Sequence, residues 1–238
     1  MGIANSISRL TEYYKRHGFE ATIRRAGLAA RRAVFSSRMV VFYCDLAKLT
    51  TAPVNIPSSL RVERLRSYSE LCRQDLQEMT SFWNPKQANR NIRERFGKGA
   101  SLWLIKSGEK LAGYGWTLQG HTIEPYYFPL GQDDMHLFDF HVFPEYRGKG
   151  INPFLVAHMV DNLAMIGGGR AFIEAAEWNE AQLSSLRKTP FHRLGLARSF
   201  AIFGHMFTRW VEDGPDVQAR KGAKRRDGAP TMARQHEQ

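Results

Sequence analysis

The chain has 238 residues, 43% hydrophobic and 24% charged, with 34 Lys and Arg against 23 Asp and Glu and a net charge of +11. Such fractions belong to a globular protein and exclude a mainly disordered chain, a collagen-like repeat and a disulfide-stapled miniprotein. The two cysteines, Cys44 and Cys72, read as buried thiols in a reducing cytoplasm, and no apolar run approaches the ~18 residues that cross a bilayer.

Residues 1–40 form a basic arm with eight basic and two acidic residues. Ile3, Ile7, Leu10 and Tyr14, then Phe19, Ile23, Ala26, Ala30 and Ala33, recur at helical spacing, so the arm reads as two amphipathic helices. Either they pack on the domain with solvated arginines, or they attach to an anionic membrane surface or a partner. Residues 41–208 hold 19 basic and 16 acidic residues. A nucleic-acid-binding domain carries its charge on the folded face, so this balance argues against a nucleic-acid partner.

Met39 to Tyr43 reads as a short strand, followed by a Thr/Ala/Pro/Asn linker to residue 59. Leu60 to Leu65 alternates as a half-buried strand. Tyr68 to Phe82 is a helical stretch that Ser67 can cap, and Trp83-Asn84-Pro85 breaks it before a second helix over 86–96. Residues 101–106 and 110–118 form a hairpin. Residues 120–135 are an irregular insertion with Tyr126, Tyr127, Phe128, Asp133 and Asp134. A strand is expected over 136–143, a Gly-rich loop over 144–152, a helix over 153–166, a strand over 170–176 and a helix over 179–188. Two last strands fill 191–207 with a turn near Arg198, and a Gly/Pro/Arg/Lys-rich tail over 211–238 is expected to be disordered. The element order is that of an α/β protein with a mixed sheet between helices.

The informative stretch is Val142 to Pro153, where a strand runs through a loop with Gly148 and Gly150 into a helix. Unpaired N–H groups at a helix N-terminus suit a phosphate or pyrophosphate. Glycine lets the backbone approach the anion, and Arg147 and Lys149 add charge. P-loop and dinucleotide spacings are absent. On composition alone, an ordinary tight turn with a basic tip fits equally well.

Arg147-Gly148-Lys149-Gly150-Ile151-Asn152 resembles motif A of the GCN5-related N-acetyltransferase (GNAT) superfamily, Gln/Arg-x-x-Gly-x-Gly/Ala. Asn179 to Phe191 resembles motif B, in which an Asn opens a helix. The resemblance covers about 60–207 and sets a domain at 60–210, an acyl-CoA N-acyltransferase-like mixed sheet flanked by helices with the N-terminal arm as an extra. It implies that the strands over 136–143 and 170–176 splay apart and hold acyl-CoA between them. The pyrophosphate would meet the amides of Gly148, Lys149, Gly150, Ile151 and Asn152. The pantetheine would pair with main chain at Phe140 and Val142, with Arg147 and Asn179 completing the site. An acceptor amine would attack the thioester directly, and the oxyanion would meet an amide near Val142.

Three positions depart from the family pattern. Asn152 and Pro153 follow the glycines and read as helix N-cap and first helical residue. Leu186 stands where a leaving-group acid, Tyr, is common, and Pro190 precedes Phe191 in place of Gly.

An alkylammonium with a pKa near ~10 must lose a proton before it attacks. The family's position for that base is His136, whose ordinary pKa of about 6.5 suits the task. Asp139 and His141, expected on the opposite strand face, are second choices, and Glu174 and Glu177 third. Tyr126 and Tyr127 from the insertion and Trp83 would wall the acceptor site. No His/Cys cluster has metal-ligand spacing, so no metal is expected. The resulting expectation is a cytoplasmic acetyl-CoA-dependent N-acetyltransferase acting on a small amine or amino sugar, with the arm in peripheral contact with the inner face of the membrane. A protein N-acetyltransferase and a non-catalytic acyl-CoA sensor are the alternatives.

Overall fold

The computed structural model describes residues 19, 23, 38–49, 59–81, 84–202 and 205–212. The two arm helices, linker residues 50–58, Trp83 and residues 213–238 lie outside these residues, apart from Phe19 and Ile23; Val211 and Glu212, expected in the tail, instead end the last strand, which runs over His205–Glu212. Eight strands form one mixed sheet in the order β2-β3-β4-β5-β6-β1-β7-β8. They are β1 (Arg38–Asp45), β2 (Leu60–Leu65), β3 (Ser101–Ser107), β4 (Lys110–Gln119), β5 (Met135–Val142), β6 (Arg170–Ala176), β7 (His192–Ile202) and β8 (His205–Glu212). Among the described residues from 38 onward, four α-helices accompany them: α1 (Arg73–Thr80), α2 (Pro85–Gly97), α3 (Ile151–Met165) and α4 (Glu180–Leu186).

On one face, α3 lays Leu155, Val156, Met159, Val160 and Leu163 against Val40, Phe42, Trp103, Ile105, Leu137, Ala171 and Ile173. On the other face, α1 and α2 cover Leu102, Leu104, Trp116 and Leu118. There the insertion brings Tyr126, Tyr127 and Phe128 over Val41, Phe172 and Ala197.

Where local hydrogen bonds compete with the helix, the boundaries shift. Ser67 does not start a long helix. Its hydroxyl bonds Glu70 Oε1 at 2.7 Å, the chain makes one 3₁₀ turn over Tyr68–Glu70, and α1 starts afresh behind Cys72. The Cys72 Sγ accepts from the Asp75 amide at 3.4 Å. Cys72 is therefore exposed, not buried, while Cys44 is buried and its thiol is pushed up to about 11, chiefly by burial. The last hairpin closes between Ile202 and His205, not near Arg198, which pairs with Arg38 on one side and Arg209 on the other.

The strand expected at 39–43 holds a central place. β1 pairs antiparallel with β6 from Met39–Ala176 to Asp45–Arg170, and with β7 on its other edge. Period-two alternation exposes neither neighbour in sequence, because both lie more than 100 residues downstream.

Candidate active site

β5 and β6 run parallel and pair only at Met135–Ala171, His136–Phe172 and Leu137–Ile173. Beyond that point they part. β5 stays bonded to β4 as far as Val142, and β6 stays bonded to β1 as far as Ala176. The fork therefore rests on β1, which holds β6 along its opposite edge while the edge that β5 has left stays open.

A bulge sits at the fork. Tyr114 pairs with His141 and Trp116 with Phe138, so β5 carries one residue more than β4 across this interval. Asp139 takes the strain at φ +50°, a conformation uncommon outside glycine. Arg95 of α2 holds its carboxylate in an ion pair. Opposite the bulge, Gly115 leaves the space that Phe140 fills: a Cβ there would lie 2.5 Å from the Phe140 ring.

The extra residue also reverses strand alternation. His141 stacks on Tyr114 at 5.4 Å, and Tyr114 and Phe143 belong to the cluster under α1 and α2. His141 thus shares the face of His136, correcting the expectation that His136 and the pair Asp139 and His141 point to opposite sides. Phe140 and Val142 turn to the α3 face.

Past Val142 the chain makes a 3₁₀ turn over Pro144–Tyr146. Gly148 and Gly150 then adopt φ +76° and +75°, which bends the chain into α3. Gly150 is the N-cap and α3 begins at Ile151, so Asn152 is not the cap and Pro153 is not the first helical residue. Pro153 still falls in the first turn, where an N–H has no intrahelical partner, so the helix loses no bond. Freed from capping, Asn152 donates from Nδ2 to Ser185 Oγ at 3.0 Å and ties α3 to α4. Asn179 does cap α4, accepting from the Gln182 amide at 3.2 Å.

These elements enclose a groove of about 610 Å³. It runs from Phe140, His141 and Val142, past Tyr146 and Arg147, over Gly148, Gly150, Ile151 and Asn152, to Asn179, Gln182, Ser185 and Lys188. Of the residues expected to hold the nucleotide, only Lys149 stands off the lining, with its ammonium 5.5 Å from the Tyr146 ring. Arg147 Nε donates to the Val142 carbonyl at 3.1 Å, which clasps the corner to the end of β5. Burial and the Arg147 charge hold the His141 imidazole below its ordinary pKa. Sequence reasoning missed Tyr146, Gln182, Ser184, Ser185 and Lys188. The helical spacing of Gln182 and Ser185 behind the Asn179 cap was the available signal.

A second constellation lies at the base of the fork. His136, 5% exposed, places Nε2 3.1 and 3.0 Å from the two carboxylate oxygens of Glu174. The Tyr126 hydroxyl donates to the same carboxylate at 3.1 Å. Burial, then the Glu174 charge, drives the Tyr126 phenol far above its ordinary pKa; the same two causes raise Tyr127. Phe138 stacks on the His136 ring at 5.1 Å. Tyr126 thus leans on the His136 ring at 5.0 Å with Tyr127 beside it, and neither lines the groove. Glu177 is engaged by Arg38 at 3.2 Å. Leu186 is fully buried in the core.

The model of the acetyltransferase (GNAT) family matches residues 65–195. The chain belongs to the GNAT family. Solved structures similar to the chain are found at low identity. An acetyltransferase assigned to the GNAT family from Novosphingobium aromaticivorans is 12% identical, with a TM-score of 0.44 over 67% of this chain and 61% of that one. A GNAT acetyltransferase from Colwellia psychrerythraea is 10% identical, with a TM-score of 0.48 over 74% of this chain and 56% of that one. A Bacillus subtilis acetyltransferase in complex with CoA is 16% identical, with a TM-score of 0.42 over 65% of this chain and 99% of that one. This GNAT chain thus spans under two thirds of the length of the first two. A comparison with curated proteins found no significant match. Among the described residues, no group of three or more His, Cys, Asp or Glu is placed to hold a metal ion, and no helix is long and apolar enough to cross a membrane.

Proposed function

We propose that this GNAT protein transfers an acetyl group from acetyl-CoA to a primary amine of a small molecule or amino sugar. The observation that carries the reading is the fork of β5 and β6, opening onto a corner of glycine amides with a groove beside it. A diphosphate placed on the amides of residues 148–152 would meet the positive end of α3 and the Arg147 guanidinium. The pantetheine chain would then run along the β5 edge at Phe140 and Val142, like an added strand, and bring the thioester to the fork.

The chemistry asked of the protein is modest. A thioester already carries a good leaving group, so the main needs are orientation of the amine and removal of its proton. His136 stands at the fork, with Glu174 and Tyr126 behind it. Asp139 and His141 on the same strand are the other candidate bases. Tyr126 and Tyr127 line the side from which an acceptor would approach. Leu186 offers no proton to the departing thiolate, and this favours a second reading, an acyl-CoA sensor without turnover.

Thiol release from acetyl-CoA across a panel of amino sugars, polyamines, amino acids and lysine-containing peptides separates the readings. Turnover with a small amine or amino sugar is the expected result. Turnover with peptides alone would make the protein a protein acetyltransferase, and tight acetyl-CoA binding without turnover would make it a sensor. The basic arm is proposed to hold the enzyme at an anionic, cytoplasmic membrane face. Equal sedimentation with phosphatidylglycerol vesicles, with and without residues 1–37, would remove that proposal.

A further inference from the structure

Arg95 comes from the α2 side of the sheet, yet it holds the residue on which the groove turns. Two contacts fix its place. Its carbonyl accepts from the Ala100 amide at 3.0 Å, so the end of α2 is bonded to the residue that leads into β3. Its guanidinium lies over the rings of Trp116 and Phe138, 5.2 and 5.5 Å from their centres, a stacking that suits a planar cation. From there the side chain, 21% exposed, reaches the Asp139 carboxylate.

Among the described residues, Asp139 alone combines a side chain with a positive φ. Asp enters that region more readily than most residues, but still at a cost. Its carboxylate is 43% exposed, and an ion pair that open adds little to stability. What hangs on the φ is the bulge. From Tyr114 to Trp116 is two steps along β4, and the facing stretch from Phe138 to His141 is three. A β5 that lost the extra residue from its ladder would slip by one, and such a slip turns every side chain to the other face. Phe140 and Val142, which now pack on the α3 side and line the groove, would turn toward α1 and α2. The Val142 carbonyl, clasped by Arg147 at 3.1 Å, would turn with them.

We propose that Arg95 is a positioning residue for the acyl donor: by holding Asp139 in its left-handed conformation, it keeps the β5 bulge in place and the main chain at 140–142 aimed into the groove. The inference deepens the acyl-transfer reading and rests on its assignment of the groove to acetyl-CoA. Arg95 does not line the groove and acts only through Asp139. The contact is made on the α2 side of the sheet, and its effect is read on the α3 side.

The test is calorimetric binding of acetyl-CoA to the full-length protein, with Tm measured alongside. Coupling between linked sites is typically about 5–150-fold, so Arg95→Ala should weaken binding by roughly tenfold while Tm moves by a few degrees. Asp139→Ala loses the carboxylate and keeps the steric cost of a positive φ, so it should weaken binding to the same extent. The double variant Arg95→Ala, Asp139→Ala should bind no worse than either single one. Glycine takes φ +50° without that cost, so Asp139→Gly should bind within a few-fold of the wild type, whether or not Arg95→Ala is added. Should Arg95→Ala fail to fold, Arg95→Gln takes its place and Asp139→Ala against Asp139→Gly carries the same comparison. Full affinity in Arg95→Ala overturns this inference alone. So does an Arg95→Ala penalty that persists in the Asp139→Gly background, or an Asp139→Gly variant that binds as poorly as Asp139→Ala. A wild type that binds no acetyl-CoA overturns the assignment of the groove and the positioning role with it.

Discussion

Removing residues 1–45 deletes a strand that the family match does not include, since the match begins at residue 65. Yet β1 carries Val40, Val41, Phe42 and Cys44, which are 3%, 0%, 7% and 2% exposed. Burying a side chain of this size contributes about 1.5–3 kcal/mol. Four of them amount to much of the ~5–15 kcal/mol that holds a domain folded. The deletion also strips the partners of β6 and β7 along their length, leaving two edges in the middle of a sheet. Because β6 leaves β5 after Ile173, its outer half would then have no partner, and the cleft would lose a wall. The 46–238 fragment is therefore expected to show no cooperative melt by circular dichroism and no acetyl-CoA binding by calorimetry. Val41→Asp in the full chain is the milder perturbation. It places a charge at a fully buried site, which costs several kcal/mol, and should lower Tm by more than about 10 °C at ~2–4 °C per kcal/mol. A fragment that melts cooperatively within a few degrees of the full chain, and binds acetyl-CoA equally well, would refute the assigned role of β1.

Other outcomes follow from single positions. Gly115→Ala pushes a Cβ into the Phe140 ring; overpacking of this kind costs about 1–3 kcal/mol, so a lower Tm should accompany weaker acetyl-CoA binding. Arg147→Glu replaces a cation lining the groove with an anion, and at about 1.5–3 kcal/mol for a charge-assisted contact calorimetry should register at least a tenfold loss of affinity. Burial holds His141 and His158 below their ordinary pKa. The unfolded chain then binds protons first on acidification, so their contribution is intact above about pH 6.5 and declines as pH falls through that value toward the folded pKa. Urea midpoints at pH 7.5 and 5.5 should differ in the wild type and converge in a His141→Asn, His158→Gln variant.

Much of the fold was legible because its signals are local. The strand over 170–176 was read to the residue, the 101–119 hairpin follows from a Ser-Gly-Glu turn between alternating runs, and Gly148 and Gly150 mark the corner without any knowledge of partners. What escaped was long-range or depended on one inserted residue. β1 looks like an isolated strand because its partners lie far down the chain. The bulge at Asp139 has no glycine to announce it, and every face assignment beyond it is inverted. The α3 start was misplaced because Asn152 is a good cap by composition, yet Gly150 alone accepts the left-handed turn, leaving Asn152 free for Ser185. Likewise Glu174 ranked behind His136, Asp139 and His141 as a base. Its contact with His136 depends on the parallel pairing of His136 with Phe172, which sequence spacing does not encode.

Hydrogen exchange of the full-length protein, with and without saturating acetyl-CoA, tests the central claim most directly. Amides at 140, 142 and 148–152 are expected to slow on addition of the thioester, with acetyl phosphate, which lacks the nucleotide diphosphate and the thiol chain, giving no effect. Unchanged exchange across those amides at saturation, with protection arising elsewhere on the sheet, would contradict the assignment of the fork and its glycine corner as the acyl-CoA site.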